Sequence, residues 1–159
     1  MSEAQTDAVP AGFEPVPEGL GYTDTLQPFY RRVQGDEVSF GLVVQPHHAN
    51  SLGICHGGVL MTLADIAAAS GVNIARGKLS GAPTINLSLD FISAAKQGRW
   101  LQADVEHTEV KRLFGFCSGV IASSESLVAR FSGTFYLPEH EGMWKGRPPP
   151  AGPLLGVQD

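Results

Sequence analysis

Apolar and polar residues alternate most cleanly over Thr84–Ile92, where Ile85, Leu87, Leu89 and Phe91 fall on one face and Thr84, Asn86, Ser88 and Asp90 on the other. A period of two predicts a half-buried strand. Val38–Val44 repeats the pattern, with Val38, Phe40, Leu42 and Val44 opposite Ser39 and Gly41. Three further segments predict strands. Trp100–Val110 carries charges at alternate positions (Asp104, Glu106), Phe114–Ser123 is rich in Gly and Val, and Leu127–Leu137 sets Leu127, Ala129, Phe131, Phe135 and Leu137 on one side. Turn material at Ala95–Arg99 and Ser123–Ser126 separates them.

Between the first two strands the period changes. Gln45–His56 is a polar loop, and Gly57–Ala75 reads GGVLMTLADIAAASGVNIA, whose length and Ala and Leu content predict a helix. Val59, Leu60, Leu63, Ile66, Ala67 and Ile74 occupy one wide arc; Met61, Ala68, Ala69 and Val72 cover the other, with Asp65 among them. A helix apolar on all sides is expected to be buried on all sides. It is almost long enough to cross a membrane, but Asp65, Ser70, Gly71 and Asn73 interrupt it and no basic flank accompanies it, so no membrane span is expected. One long helix followed by strands on short connections predicts an α+β fold, an antiparallel sheet with the helix on one face.

Length and composition bound the picture. The chain has 159 residues, 43% of them hydrophobic and 17% charged, which suits one domain with a real core. Its Pro-rich stretches lie at Val9–Gly19 and Pro138–Pro153. The expected organisation is a mobile N-terminal arm over 1–20, a folded domain over 21–138 and a Pro-rich tail over 139–159. A domain this small gains from oligomerisation. The net charge of −5 argues against a nucleic-acid surface, although an anionic small ligand needs only two or three local cations. MSEAQTDAVP has no apolar run of the kind a secretory signal requires, so the cytoplasm is the expected location. Cys55 and Cys117 lack CxxC spacing and are expected as two reduced, partly buried thiols. His47, His48, Cys55 and His56 share one loop without forming a closed ligand set, and no P-loop or GxSxG motif is present. Neither a metal nor a cofactor is expected.

The candidate chemistry centres on Asp65, the only charged residue between His56 and Arg76. A carboxylate in apolar surroundings is costly unless it is paired or opens on a pocket, and there it can act as a general base or nucleophile. Upstream, Gly57 and Gly58 open the helix, where the first backbone N–H groups lack internal partners and can receive a developing oxyanion. Asp65 lies eight residues on, about 12 Å along the axis. One helix cannot easily bring both groups to one carbonyl, which favours a site shared between two copies of the chain.

The spacing Asn50-x5-His56-Gly57-Gly58-x6-Asp65, followed by GAPTINLSLDFISAA, resembles the hotdog-fold acyl-CoA thioesterases of the phenylacetate-pathway type. The resemblance spans about Val38 to Leu137. It implies a hotdog fold, a long helix wrapped by an antiparallel sheet, in dimers that commonly pair into tetramers. It implies that Gly57 N–H polarises the thioester carbonyl, with Gly58 beside it, and that Asp65 of the other subunit is the base or nucleophile. It implies that Asn50 and His56 position the thioester or water, and Thr84 falls where the family often has a small hydroxyl near the carboxylate. By the same resemblance, Lys111 and Arg112 open the segment where the family often supplies cations for the phosphates of CoA, although KRLFGF departs from the usual pattern there. Ala94-Ala95 stands in place of the usual Pro-Ala. The alternative is a hotdog protein that binds acyl-CoA without hydrolysing it; a hotdog dehydratase would need a His and an acid at a spacing not seen here.

Overall fold

The structure, a computed structural model, describes residues 5–79, 81–139 and 152–156. Most of the expected tail, Trp144 included, lies outside the described residues. Seven strands form one antiparallel sheet: β1 (Glu14–Pro15), β2 (Tyr30–Gln34), β3 (Glu37–Val43), β4 (Thr84–Phe91), β5 (Trp100–Val110), β6 (Phe114–Ala122) and β7 (Leu127–Tyr136), in the order β1-β2-β3-β5-β6-β7-β4. The long helix α1 (Gly57–Arg76) crosses one face, and a short helix α2 (Gly152–Leu155) lies near β2. The α+β arrangement is therefore present as read from the pattern.

Helix α1 is bounded by recognisable signals. His56 is extended and its side chain accepts from Gly58 N–H, an N-cap; Gly77 at φ 69° turns the chain back, its N–H bonding the carbonyls of Asn73 and Ile74. Leu60, Leu63, Ala64, Ala67 and Val72 share one core with Phe40, Leu42, Leu101, Ala103, Ile121, Phe131 and Phe135. Each large side chain buried there contributes about 1.5–3 kcal/mol. Gly115 permits the approach of β6 to the helix, because a Cβ there would run into the Val72 side chain.

Three features depart from the pattern-based expectation. β4 does not pair with its sequence neighbour β5. It crosses the sheet to bond β7 and forms the far edge, with Ile92 and Ser93 both donating to the Val128 carbonyl. β3 is not half-buried: all its residues after Glu37 are buried. On the face away from α1, the Trp100 indole lies over Gly41, and Phe13 meets that indole edge-on at 5.0 Å. Residues 5–20, read as part of an arm, are docked. Asp7 N–H bonds the Gly98 carbonyl at 2.7 Å, the Asp7 carboxylate accepts from Trp100 N–H at 2.9 Å, β1 pairs with β2, and Val16 is buried.

The helix itself is not closed on every side. Gly58, Met61, Thr62, Asp65 and Ala69 form a half-exposed stripe along it. Among the described residues α1 is also the one helix long and apolar enough to cross a membrane, and it is instead the helix of this core.

Candidate active site

The sequence-predicted residues at the helix fall into two groups within the chain. The first stands at the N-terminus of α1. Asn50 shapes the preceding loop: its Oδ1 accepts from Leu52 N–H at 2.9 Å and Ile54 N–H at 3.4 Å, and its own N–H bonds the Ile54 carbonyl. This local bonding is the usual way Asn holds a turn. His48 anchors the other side of the loop. It is buried, its Nδ1 accepts from Gln45 N–H, its Nε2 donates to the Leu26 carbonyl, and its carbonyl accepts from His56 N–H. Burial, reinforced by the neighbouring His47, holds the His48 pKa below its ordinary value.

At the helix start the two glycines behave differently. Gly58 N–H is taken by His56 Nδ1 at 2.8 Å, whereas Gly57 N–H bonds no acceptor among the described residues. Gly57 is thus the open amide at the positive end of the helix dipole. It borders an open pocket of about 420 Å³ whose lining includes Asn50, Ile54, Leu60, Phe91, Ile92 and Ser93. Cys55 also lines it, and burial pushes its thiol up to about 12, as it does for Cys117. Both cysteines are free and buried, and thiols so raised are not nucleophiles at neutral pH.

The second group lies two turns along α1. Thr84 Oγ1 donates to Asp65 Oδ1 at 2.7 Å, and Asp65 sits in the half-exposed stripe. Strict alternation would set Thr84 on the outer face beside Asn86 and Ser88. The structure turns it inward through a bulge: Thr84 pairs with Phe135 and Asn86 with the adjacent Thr134, so two residues of β4 advance against one of β7. The extra residue reverses the face of everything before it. Phe135 is fully buried, and its partner Thr84 looks toward the helix with it.

Lys111 and Arg112 join neither group. They occupy the β5–β6 turn and are exposed, pairing with Glu109 at 2.6 Å and Glu139 at 3.9 Å. Gly115, just beyond them, packs on Val72, near the opposite end of α1 from Gly57. Among the described residues no three His, Cys, Asp or Glu side chains gather in a metal-binding group. The pocket-lining residues Ile54, Phe91 and Ile92 were not singled out by the sequence reading. Phe91 carried a signal, as the last apolar residue of the β4 alternation.

Comparison with known proteins places these features in context. Residues 52–129 match the family profile described as the Thioesterase superfamily. A Pseudomonas aeruginosa protein named "Putative esterase" is 36% identical over 134 residues, covering 82% of this chain and 98% of that protein. An Archaeoglobus fulgidus protein of the same name is 33% identical over 96 residues, 60% of each chain. Among solved structures, phenylacetic acid degradation protein PaaI from Thermus thermophilus, in a mutant form, aligns with a TM-score of 0.62 at 22% identity, covering 74% of this chain and 98% of that one. A hypothetical thioesterase from Streptococcus pneumoniae with coenzyme A aligns at 0.60 and 19% identity, covering 78% and 94%. The fold is that of the hotdog thioesterases.

Proposed function

The chain belongs to the thioesterase superfamily, and from that premise we propose that it is an acyl-CoA thioesterase whose active site is completed by a second copy of itself. The observation that carries this reading is the division of the site. Gly57 N–H and Asn50 stand at one pocket, while Asp65 and Thr84 form a separate pair two helical turns away. Two copies related by a twofold axis, with their α1 stripes facing, bring Asp65 of one beside Gly57 of the other, twice. Among the described residues one edge of β4 has no partner strand, which supports the same assembly. Its backbone is free to extend the sheet, and Ile85, Phe91 and Ile92 are exposed there. Phe114 and Phe116, exposed on β6, are the candidates for pairing of dimers into a tetramer.

In this reading the thioester carbonyl oxygen accepts from Gly57 N–H, which stabilises the oxyanion as the carbonyl carbon becomes tetrahedral. Asp65 takes a proton from the attacking water, or attacks the carbon itself to give an anhydride that water opens. On the general-base route, collapse breaks the C–S bond, the CoA sulfur takes the proton Asp65 collected, and the acyl group departs as a carboxylic acid; on the anhydride route the thiolate leaves first, and the water that opens the anhydride supplies its proton. Thr84 orients the Asp65 carboxylate, while His56 and Asn50 hold the loop and helix start around the carbonyl, with Gly58 spent on the cap. Lys111 and Arg112 are the cations offered to the CoA phosphates, exchanging Glu109 and Glu139 for them. The coenzyme A in the Streptococcus structure supports CoA esters as the substrate class.

The test is thiol release from a panel of acyl-CoAs by the wild type and Asp65→Asn. Expected is hydrolysis by the wild type and a loss of about 10²–10⁴-fold in kcat for the variant, with binding retained. A wild type that binds acyl-CoA and releases no thiol would leave a binding protein instead. A variant as fast as wild type would remove Asp65 from the mechanism.

A further inference from the structure

The N-terminal segment grips the turn that joins β4 to β5. Asp7 N–H bonds the Gly98 carbonyl at 2.7 Å, and the Asp7 carboxylate accepts from Trp100 N–H at 2.9 Å and from the Arg99 guanidinium at 3.2 Å. Gly98, at φ 82°, lets the segment lie close: a Cβ there would meet the Gln5 carbonyl oxygen at 3.3 Å and Thr6 Cα at 3.6 Å. Arg99 also reaches Glu125 at 2.6 Å, so its guanidinium is held between two carboxylates from distant parts of the chain. The same turn holds the loop that leads into α1. The Ala95 carbonyl accepts from Cys55 N–H at 2.7 Å, and Ile54 and Lys96 form a β-bridge. Ile54, Cys55 and Gly57 supply one part of the pocket lining, and the stretch ending at Ala95 supplies another.

We infer that Asp7 is a positioning residue for this site: by fixing the 95–99 turn, it holds the loop that presents Gly57 N–H. The inference rests on the reading of that N–H as the donor to the thioester carbonyl. Asp7 touches neither the pocket nor the substrate. Its effect passes from the turn through the Ala95 carbonyl to Cys55 N–H, two residues before Gly57. Without the carboxylate, Trp100 N–H and Arg99 lose an acceptor, and the turn keeps its bonds to Val44 and the Glu125 pair. An oxyanion donor acts only when it is held within a narrow range of the developing charge. Slack in the turn therefore costs the chemical step more than it costs binding.

The experiment measures steady-state kinetics on a panel of acyl-CoAs, and amide hydrogen exchange by NMR, for wild type, Asp7→Asn and Asp7→Ala. Expected for Asp7→Ala is a fall of about tenfold in kcat with KM within about twofold, short of the roughly hundredfold that a misplacement of about 1 Å can cost. Cys55 N–H should exchange about tenfold faster while the amides of β6 and β7 keep their wild-type rates, the signature of a local opening and not of a general loss of stability. Asp7→Asn keeps an acceptor for Trp100 N–H and loses the charge facing Arg99, so it should fall between the two. Unchanged kcat and Cys55 exchange in the folded variants would overturn the role of Asp7 while leaving the thioesterase reading in place. Exchange that quickens evenly across the sheet would overturn it equally. A wild type that hydrolyses no CoA ester would instead overturn that reading, and this inference with it.

Discussion

Thr84 Oγ1 lies 2.7 Å from Asp65 Oδ1 and donates to it, joining the edge strand to the middle of the central helix. If this bond orients the carboxylate for reaction, its loss should slow chemistry without weakening substrate binding. Thr84→Val, which keeps the shape and removes the hydroxyl, is expected to lower kcat about 10–100-fold with KM little changed, and Thr84→Ser to restore most of it. Steady-state kinetics on the three proteins measures this directly.

The proposed division of the site between two copies of the chain predicts complementation. Asp65→Asn damages one half of each composite site and Asn50→Ala the other. Mixed dimers carry one site with both lesions and one with neither. Unfolding and refolding an equimolar mixture of the two inactive variants should recover about a quarter of wild-type activity, since half the dimers are mixed and each has one intact site of two. Neither variant refolded alone should gain activity. If all catalytic groups acted within one protomer, the mixture would stay inactive.

Docking of the N-terminal segment predicts a cost for removing it. Deleting residues 1–18 takes away Phe13 from the Trp100 indole, Val16 from the core and the Asp7 contacts with Arg99 and Trp100. The expected loss is about 2–4 kcal/mol, on the scale of burying one or two large apolar groups. Denaturant titration gives the loss. The newly exposed Trp100 should shift its fluorescence to longer wavelength, whereas a segment merely trailing from the domain would change neither quantity.

His48 predicts a pH dependence of stability. Its pKa in the folded protein is held below the ordinary value, chiefly by burial and next by His47. The unfolded chain therefore takes up a proton more readily than the folded one. Stability contributed by neutral His48 is fully present above the ordinary imidazole value, about 6.5, and is lost as pH falls from there toward the depressed folded value. The melting temperature should drop over this window, and His48→Gln should reduce the drop. Activity should fall along with it, because the His48 carbonyl receives the N–H of the helix-capping His56.

Much of this was legible in the chain. The period-two segments located β3 to β7 to within a residue or two, and the apolar run with one aspartate located α1 and Asp65. The Asn50, His56 and Gly57 spacing pointed to the helix start that proved to border a pocket. What escaped depends on contacts distant in sequence. β2, with Arg31 and Arg32 in a strand of five, has no clean alternation, and Arg31 is buried only because Glu14 and the Pro153 carbonyl reach it. Ser39 and Gly41 read as a solvent face, but the Trp100 indole covers Gly41 and Ser39 bonds Asp104 and Arg32. The pairing of β4 with β7 follows from a crossing of the sheet that short-link reasoning does not anticipate. Phe91 reads as one apolar position of the β4 alternation, and its place against Gly57 is a contact that no local pattern carries.

The bulge at Ile85 makes the orientation of Thr84 a question of parity. Side-chain chemistry at Ile85 matters little to it; the number of residues between Thr84 and the rest of β4 matters a great deal. Point substitutions along the strand can therefore accumulate without turning the hydroxyl away from Asp65. A single-codon deletion there would restore regular pleating and turn the residue ahead of it outward, disarming the carboxylate while leaving every proposed active-site residue type still encoded. Within this gene, reading-frame-preserving insertions and deletions in β4 are a more severe class of lesion than most missense changes.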